Sequence, residues 1–451
     1  MTVFFGELEH YYRNVPFSKL DAEAVHQAKR CILDSIGCMI SSADSCGAEL
    51  RFVFGMRNGT ECTVVGTRER ANAALAGFAG SILASAQEMD DATAIGASVH
   101  PGCCVIPAAL AAAEKYGGSG ELLLRAVLFG YDLCNRLGLM ATEKIRELGL
   151  YGPGFLAAPC AAAVFGMIMG LDGKTLENAF SIAFSMAPVC PFSSFTDGAD
   201  SKNLYNGWAV YLGILSAEMA QAGMTGAANL LRGKRSLQAF LSSDRGTDIP
   251  AGQGGFSSAI VFKKYSACLS VHAAMTVLER MKRQYGFAEG QIASVEIGTY
   301  PYAWELSSLA EKLTPVSARV SIPYTAAVML SEGSLWPEAF SGEMLESVRI
   351  RELMKKIHVV RLDAFGAGPF GKRGCKAVIT LVDGTVLRDE TDASCWSADA
   401  PPSDEELEKK FAVLTERKLC RQTREALIRE IYELDRVENI MKITALLRQT
   451  A

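Results

Sequence analysis

The stretch GELLLRAVLFGYDLCNRLG, residues 120–138, gives the clearest indication of fold class in this chain. Its apolar residues recur three or four positions apart, which places them on one face of an α-helix, and it ends at a glycine, where helices commonly stop. The same pattern returns in DAEAVHQAKRCILDSIGCMI (21–40), IPAALAAAEKYG (106–117) and GWAVYLGILSAEMAQAG (207–223). Many of these faces carry Ala, Gly or Ser, which let helices approach closely. The sequence therefore predicts a tightly packed, all-helical domain.

The pattern changes at GQGGFSS, residues 252–258, whose composition is typical of a loop or hinge. Strands are predicted beyond it at Ile292 to Gly298 and at His358 to Leu362. The segment AVITLVDGTVLRDE, 377–390, predicts a hairpin because Asp383-Gly384 separates two alternating runs. From Ser403 the chain is helical and charged again. A mixed α and β segment is thus expected between two helical ones.

Composition narrows the class of protein. A chain of 451 residues with 49% hydrophobic and 21% charged residues is typical of a globular protein of about two or three domains. The net charge of −5 and the lack of a Lys/Arg run give no footprint for nucleic acid or an anionic membrane. The apolar stretch Cys160 to Leu171 is shorter than the roughly 20 residues that span a bilayer. The N-terminus does not resemble a signal peptide, so we expect a cytoplasmic protein.

The thirteen cysteines form no C-x-x-C pair, which argues against a disulfide framework or a zinc ribbon. Of five histidines, His100 is the best candidate acid or base. It ends the loop QEMDDATAIGASVHPG, in which Glu88, Asp90 and Asp91 precede a turn into a helix. A carboxylate can orient an imidazole, and a helix N-terminus can hold an anion. The local pattern also fits a structural role, because Asp-Asp often begins helices and His-Pro often forms turns.

Three further segments carry candidate residues. Lys202 lies in FTDGADSKNLYNGWA, where a solvated loop lysine is the plainer interpretation. FKKYSACLSVHAAM places Lys263, Cys268 and His272 at the expected domain junction, where ligand clefts tend to form. SARVSIPYTAAVMLSEG places Arg319 and Tyr324 before an apolar helix. No Walker A loop, dinucleotide fingerprint, H-E-x-x-H or G-x-S-x-G motif occurs.

Taken in order, these segments resemble the MmgE/PrpD family, which includes 2-methylcitrate dehydratase, cis-aconitate decarboxylase and iminodisuccinate epimerase. No single motif is diagnostic, but six collinear matches make chance resemblance a poor explanation. The matching segments are MDD with HPG within 89–102, GYDLCNRLG at 130–138, AAAVFGMIMGLD at 161–172, SKNLYNGWAVYLGILSAEMAQAGMTG at 201–226, KKYSACLSVHAA at 263–274 and ARVSIPYTAAVML at 318–330.

The resemblance implies a mainly α fold with an inserted α/β lid, that is, a large all-helical domain plus a smaller α+β domain. Residues 1–258 would form the helical domain, 259–398 the lid, and 399–451 the C-terminal helices that complete the helical domain. It also implies a homodimer that needs no metal ion or organic cofactor and acts on a small di- or tricarboxylate.

Carried over to this chain, the resemblance implies two sets of site residues. The catalytic groups would be His100, Asp91, Lys202, Lys263 and Tyr324. Asp90 would bind substrate, as would Tyr151 and Cys268, which stand where family members have histidines. His272 and Arg319 are added as substrate-binding candidates from the segments in which they lie.

The expected reaction is proton abstraction next to a carboxylate, with a 2-methylcitrate dehydratase-like lyase favoured. Decarboxylase members of the family have histidines where this chain has Tyr151 and Cys268, and neither a phenol nor a thiol is cationic near neutral pH, which weakens a cis-aconitate decarboxylase-like reaction. An epimerase of the iminodisuccinate type needs proton exchange on two faces, for which His100 and Lys202 or Lys263 are candidates. A catalytically degenerate dimeric binding protein is the alternative of another class.

Overall fold

The computed structural model describes residues 3–448 except 57, 95–98, 229, 231–235, 238–250, 253–258, 309–312 and 366–372. The predicted loop or hinge at 252–258 therefore lies outside the described residues, apart from Gly252. The glycine-containing part of the loop that leads to His100 also lies outside them.

The first half of the chain is helical, as predicted. Three of its helices, α2, α6 and α8, begin at side chains that cap free backbone N–H groups: Asp21, Ser119 and Asp172 each accept a hydrogen bond from the first turn that follows. The helices are α1 (Val3–Asn14), α2 (Ala22–Ser42), α3 (Gly47–Met56), α4 (Ala73–Ser85), α5 (Pro101–Tyr116), α6 (Gly120–Glu147), α7 (Gly152–Ile168), α8 (Gly173–Ser185), α9 (Ser193–Thr196) and α10 (Ser201–Gln221).

Small residues let α10 pack closely against its neighbours. A Cβ atom added at Gly213 would lie 2.5 Å from the carbonyl oxygen of Ala158 in α7, and one at Gly207 would lie 2.6 Å from Ile82 in α4. Larger side chains at these positions would force the helices apart. The close packing predicted from the Ala, Gly and Ser faces is thus present.

The second half combines helices with a four-stranded sheet. Its elements are α11 (Leu269–Tyr285), α12 (Pro301–Ser308), α13 (Ile322–Glu332), α14 (Gly342–Glu346) and α15 (Val348–Met354), with strands β5 (Ile292–Thr299), β6 (Ile357–Arg361), β7 (Cys375–Leu381) and β8 (Val386–Thr391). The strand order is β6-β5-β7-β8, with β5 parallel to β6 and the other pairs antiparallel. The predicted hairpin joins β7 to β8, and Gly384 takes the positive φ of 88° that its turn requires.

The chain then returns to helices α16 (Asp404–Thr415), α17 (Arg421–Tyr432) and α18 (Met441–Leu447). The predicted capping box is present at the start of α16, where Ser403 and Glu406 bond each other's backbone N–H groups. Short 3₁₀ turns occupy Phe17–Lys19, Glu289–Gln291, Ser317–Arg319, Pro337–Phe340, Asp363–Phe365 and Leu434–Arg436.

Buried apolar side chains form two large clusters. One joins helices α1 to α10 with the C-terminal helices, and it includes Ile36 of α2 and Phe411 of α16. The other packs α11 and α13 against the sheet, with Val295 and Ile379 at its centre. The fold is mainly helical with a small mixed sheet. The lid function and the domain bounds stay predictions.

Two short strands connect the two halves beside the candidate site. Strand β3 (Ala92–Thr93) pairs antiparallel with β4 (Ile260–Val261), while β1 (Cys62–Thr63) and β2 (Arg70–Ala71) form a separate pair. Because β3 follows Asp91 and β4 precedes Lys263, this pairing brings the acidic segment and the junction lysine together. Within the described ranges, no helix is both long enough and apolar enough to cross a membrane.

Candidate active site

A cavity of about 270 Å³ lies where the two apolar clusters meet. Its wall combines Ile145 of the first cluster with Tyr300 of the second. A more open surface depression of about 420 Å³ lies beside the C-terminal helices, and none of the predicted site residues lines it. The polar groups that line the smaller cavity are Glu88, His100, Arg146, Tyr151, Cys268, Ser270, Tyr300, Tyr302, Glu305 and Arg373.

His100 is held in one orientation by Asp90. The Nδ1 atom of the imidazole lies 2.8 Å from Asp90 Oδ2, and both side chains are buried. If Nδ1 carries the proton, it donates to the carboxylate and leaves Nε2 as a free base. No described residue forms a hydrogen bond with Nε2, and His100 lines the cavity. The pair can therefore accept or return a proton at a ligand.

Behind His100, two buried lysines share one carboxylate. Lys263 Nζ donates to Glu88 Oε2 at 2.8 Å and to Asp90 Oδ1 at 3.3 Å, while Lys202 forms an ion pair with the other oxygen of Glu88. Glu88 has a φ of 52°, an uncommon conformation for a residue with a side chain, and one that persists where the surroundings enforce it. The network joins His100, Asp90, Lys263, Glu88 and Lys202 in one chain of contacts.

The charges in this network compensate one another. Burial alone would raise the pKa of Glu88, but Lys202 and Lys263 outweigh burial and hold that pKa well below its ordinary value. Burial likewise opposes ionisation of Asp90, and Lys263 and His100 lower its pKa overall. Burial alone would lower the pKa of Lys263, yet Asp90 and Glu88 raise it. Both carboxylates therefore stay ionised beside the ammonium group of Lys263.

Three helices begin at the cavity. His100 is the N-cap residue of α5, Tyr151 of α7 and Cys268 of α11, and none of these side chains caps its own helix. Each helix start carries a partial positive charge, which favours an anion. At α5 this effect is weakened, because Pro101 has no N–H group and the N–H of Gly102 already donates to Asp91. Ser270, in the first turn of α11, has a buried hydroxyl that lies beside the Cys268 thiol and makes no hydrogen bond of good geometry with a described residue. The inner part of the cavity is thus suited to a small anion such as a carboxylate.

Tyr151 and Cys268 add neutral donors to this wall. Burial raises the pKa of the Tyr151 phenol well above its ordinary value, and burial followed by the charge of Glu88 raises that of the Cys268 thiol. Both groups therefore stay protonated near neutral pH. Tyr151 also packs edge-on against Phe195, and the ammonium group of Lys202 lies 4.8 Å from the centre of the Phe195 ring.

Asp91 faces away from the cavity, although it is adjacent to Asp90. It accepts hydrogen bonds from the Tyr131 hydroxyl at 2.5 Å and from the backbone N–H of Gly102 at 2.8 Å. Burial raises its pKa to about 7. In this arrangement Asp91 holds the first turn of α5, which carries His100.

His272, Arg319 and Tyr324 also lie outside the cavity wall formed by the described residues. The His272 imidazole contacts the carbonyl of Ala267 at 3.1 Å, and burial lowers its pKa to about 3. Arg319 donates to the carbonyl and hydroxyl of Ser266, and Tyr324 donates to the carbonyl of Ala339. These contacts support the backbone around the junction and do not reach a ligand in the cavity.

Sequence reasoning gave no role to several groups that the structure places at the cavity. The sequence indicates Glu88 only as one of three neighbouring acids, because its ion-pair partners come from α10 and from the segment after β4. Nothing in the local sequence marks the others, which are Arg146, Ser270, Tyr300, Tyr302 and Arg373. Among the residues that the structure describes, no three His, Cys, Asp or Glu side chains are arranged to hold a metal ion.

Comparison with known proteins covers almost the whole chain. Two family models match it: the MmgE/PrpD N-terminal domain over residues 6–250 and the MmgE/PrpD C-terminal domain over residues 265–434. Cis-aconitate decarboxylase of Mus musculus is 24% identical, with 94% of this chain and 89% of the relative aligned. The Homo sapiens protein of that name is 24% identical, over 95% and 91% of the two chains. That of Aspergillus terreus (strain NIH 2624 / FGSC A1156) is 24% identical, over 78% and 77%.

Proposed function

This chain belongs to the MmgE/PrpD family, and on that basis we propose that it is a lyase acting on a small polycarboxylate. The proposed reaction is removal of a proton next to a carboxylate, followed by loss of a neighbouring hydroxyl group as water, without a cofactor. The observation that carries this proposal is the His100–Asp90 pair, in which Asp90 binds Nδ1 of an imidazole that lines the cavity and Nε2 has no partner among the described residues.

In this reaction His100 Nε2 accepts the proton from the carbon next to the carboxylate. Asp90 stabilises the imidazolium ion that forms, since a buried carboxylate favours the charged ring. The electrons of the broken C–H bond form a double bond, and the hydroxyl on the next carbon leaves. In this proposal the Tyr300 phenol, which burial keeps protonated by raising its pKa to about 12, gives its proton to this hydroxyl, which leaves as water. The proton held by His100 then passes to the phenolate, so both groups end as they began. The starts of α5, α7 and α11 stabilise the negative charge that develops on the carboxylate.

Decarboxylation is the second candidate, because the aligned relatives carry the name cis-aconitate decarboxylase. The groups at positions 151 and 268 count against it: the family resemblance puts histidines there in decarboxylases, whereas Tyr151 and Cys268 stay neutral. Epimerisation requires a second base opposite His100. Lys202 and Lys263 are both paired with Glu88, and neither lines the cavity among the described residues, which disfavours that reaction.

The intact network disfavours a degenerate binding protein, because a binding role alone does not require an oriented base. We further propose, from the family resemblance, that the protein is a cytoplasmic homodimer and that residues 259–398 act as a lid over the cavity.

The test is proton NMR of the purified protein in deuterated water with 2-methylcitrate, citrate, cis-aconitate and iminodisuccinate. We expect deuterium at the carbon next to a carboxylate, and the product separates dehydration, decarboxylation and epimerisation.

His100→Ala should lower the rate about 100- to 10,000-fold, the usual effect of removing a general acid–base group. His10→Ala, at an exposed histidine, is the matched control. An unchanged rate in His100→Ala contradicts its assigned role. Binding of these acids with neither exchange nor turnover would favour the binding-protein alternative.

A further inference from the structure

The residues that line the cavity are buried at its floor and more exposed at its mouth. At the floor, Glu88, His100 and Ser270 are all buried. At the mouth, Arg146 and Glu305 are exposed and Arg373 is half-buried. Among the described residues, the entrance thus carries two guanidinium groups and one carboxylate, while the charges of the network behind the floor compensate one another. The mouth carries the excess positive charge of the cavity.

Arg146 is held in place by an aromatic ring. It lies in the last turn of α6, and its guanidinium carbon is 4.6 Å from the centre of the Tyr302 ring. Stacking on a ring restricts the guanidinium group and leaves its N–H groups free at the edges. No described residue forms an ion pair or side-chain hydrogen bond with Arg146 or Arg373. Both cations are therefore available to a ligand.

The charges of the two arginines affect the pKa of the same two tyrosines, Tyr300 and Tyr302. Burial raises the pKa of Tyr300 and of Tyr302, and the charges of both Arg146 and Arg373 oppose that rise at each tyrosine. Both arginines also line the same cavity as these two tyrosines, and Arg146 lies against the Tyr302 ring. Such a pair can hold a carboxylate from two sides.

We propose that Arg146 and Arg373 bind the substrate carboxylate farthest from the reacting carbon, so that the site accepts di- and tricarboxylates and discriminates against monocarboxylates. The inference rests on the proposed function, in which the helix starts and Ser270 hold the carboxylate next to His100. Guanidinium groups bind carboxylates through paired N–H donors, and a pre-oriented guanidinium loses little freedom on binding. The distal carboxylate would then fix the distance of the reacting carbon from His100.

Isothermal titration with propane-1,2,3-tricarboxylate and with propionate tests this assignment without requiring turnover. Arg146→Gln and Arg373→Gln should each weaken tricarboxylate binding about 10- to 100-fold, the usual effect of losing charge-assisted hydrogen bonds. Propionate binding, weak in the wild type, should not change. Arg146→Lys should retain part of the affinity. The matched control is Arg421→Gln, which removes an equal charge at an exposed site in α17.

Wild-type affinity for the tricarboxylate in both glutamine variants would overturn the assignment, and so would equal losses for the tricarboxylate and propionate. Failure of the wild type to bind the tricarboxylate would overturn it as well. The proposed function fails separately, if the wild type binds polycarboxylates but neither exchanges deuterium nor turns them over. Thermal unfolding of each variant identifies any loss that comes from misfolding.

Discussion

Replacing Asp91 with Asn should flatten the pH dependence of stability between about pH 4 and pH 7. In the folded protein, burial raises the pKa of this carboxyl to about 7, whereas an Asp in an unfolded chain titrates near ~3.9. Folding therefore takes up a proton over this range. The stabilisation from that proton is complete below the unfolded pKa and is lost as the pH rises through the folded pKa.

The size of the effect follows from the difference between the two pKa values. About three pKa units at ~1.36 kcal/mol each correspond to on the order of 4 kcal/mol, and the slope between them is about 1.4 kcal/mol per pH unit. Asn cannot bind this proton but can still accept a hydrogen bond from Gly102 or Tyr131. The free energy of unfolding of the wild type should thus fall relative to that of Asp91→Asn as the pH rises.

Urea titrations of both proteins at half-unit steps from pH 4 to 8 measure this difference, because contributions from unaffected groups cancel in the subtraction. A difference that does not change with pH would refute the reasoning, since it would mean that Asp91 is ionised throughout the range. The hydrogen bonds of Asp91 to Tyr131 and Gly102 give this carboxyl a positioning role, in which it does not reach the ligand.

Two further substitutions test the packing around the site. Lys410→Met removes the ion-pair partner of the buried Asp34 carboxylate, which lies 2.6 Å from Lys410 Nζ. We expect the free energy of unfolding, measured in urea, to fall by about 3–5 kcal/mol, and the double variant with Asp34→Asn to recover most of this loss. A single variant as stable as the wild type would contradict this. Gly213→Ala should lower the free energy of unfolding by about 1–3 kcal/mol, because its new Cβ atom meets Ala158. The control Gly55→Ala, whose Cβ atom meets no atom within 4 Å, should stabilise α3 slightly. Equal shifts in melting temperature in the two variants would show that α7 and α10 move apart at little cost.

Much of the fold could be predicted from local sequence patterns. The helices around 120–138 and 207–223, the strand near Ile292 and the hairpin at Asp383-Gly384 all follow from periodicity and turn chemistry, which act over a few residues. The predicted end at Gly138 was wrong, because α6 continues through this glycine to Glu147. The pairing of β3 with β4 did not follow, because each strand has two residues and its partner lies far along the chain. Such short pairs leave no periodic signal.

The candidate site was predicted in part, and the shortfall has one physical cause. Sequence indicates which residues are close along the chain but does not indicate which way they point. Asp90 and Asp91 are neighbours, yet one bonds His100 and the other bonds Tyr131 on the opposite side. Arg146 lies in the last turn of α6 and belongs to no distinguishing motif. Only its contact with Tyr302 in the folded protein indicates that it is a candidate ligand-binding residue.

The bond between Lys410 and the backbone carbonyl of Met89 spans 321 residues of sequence, and Met89 stands between Glu88 and Asp90. On the ribosome the chain emerges from its N-terminus, so α2, α4 and the acidic segment are made long before α16. Until α16 emerges, Asp34 has no ammonium partner and the apolar face of α2 that contacts Phe411 is uncovered. The surroundings of the acidic segment, which is made early, are thus completed only when α16 is made more than 300 residues later.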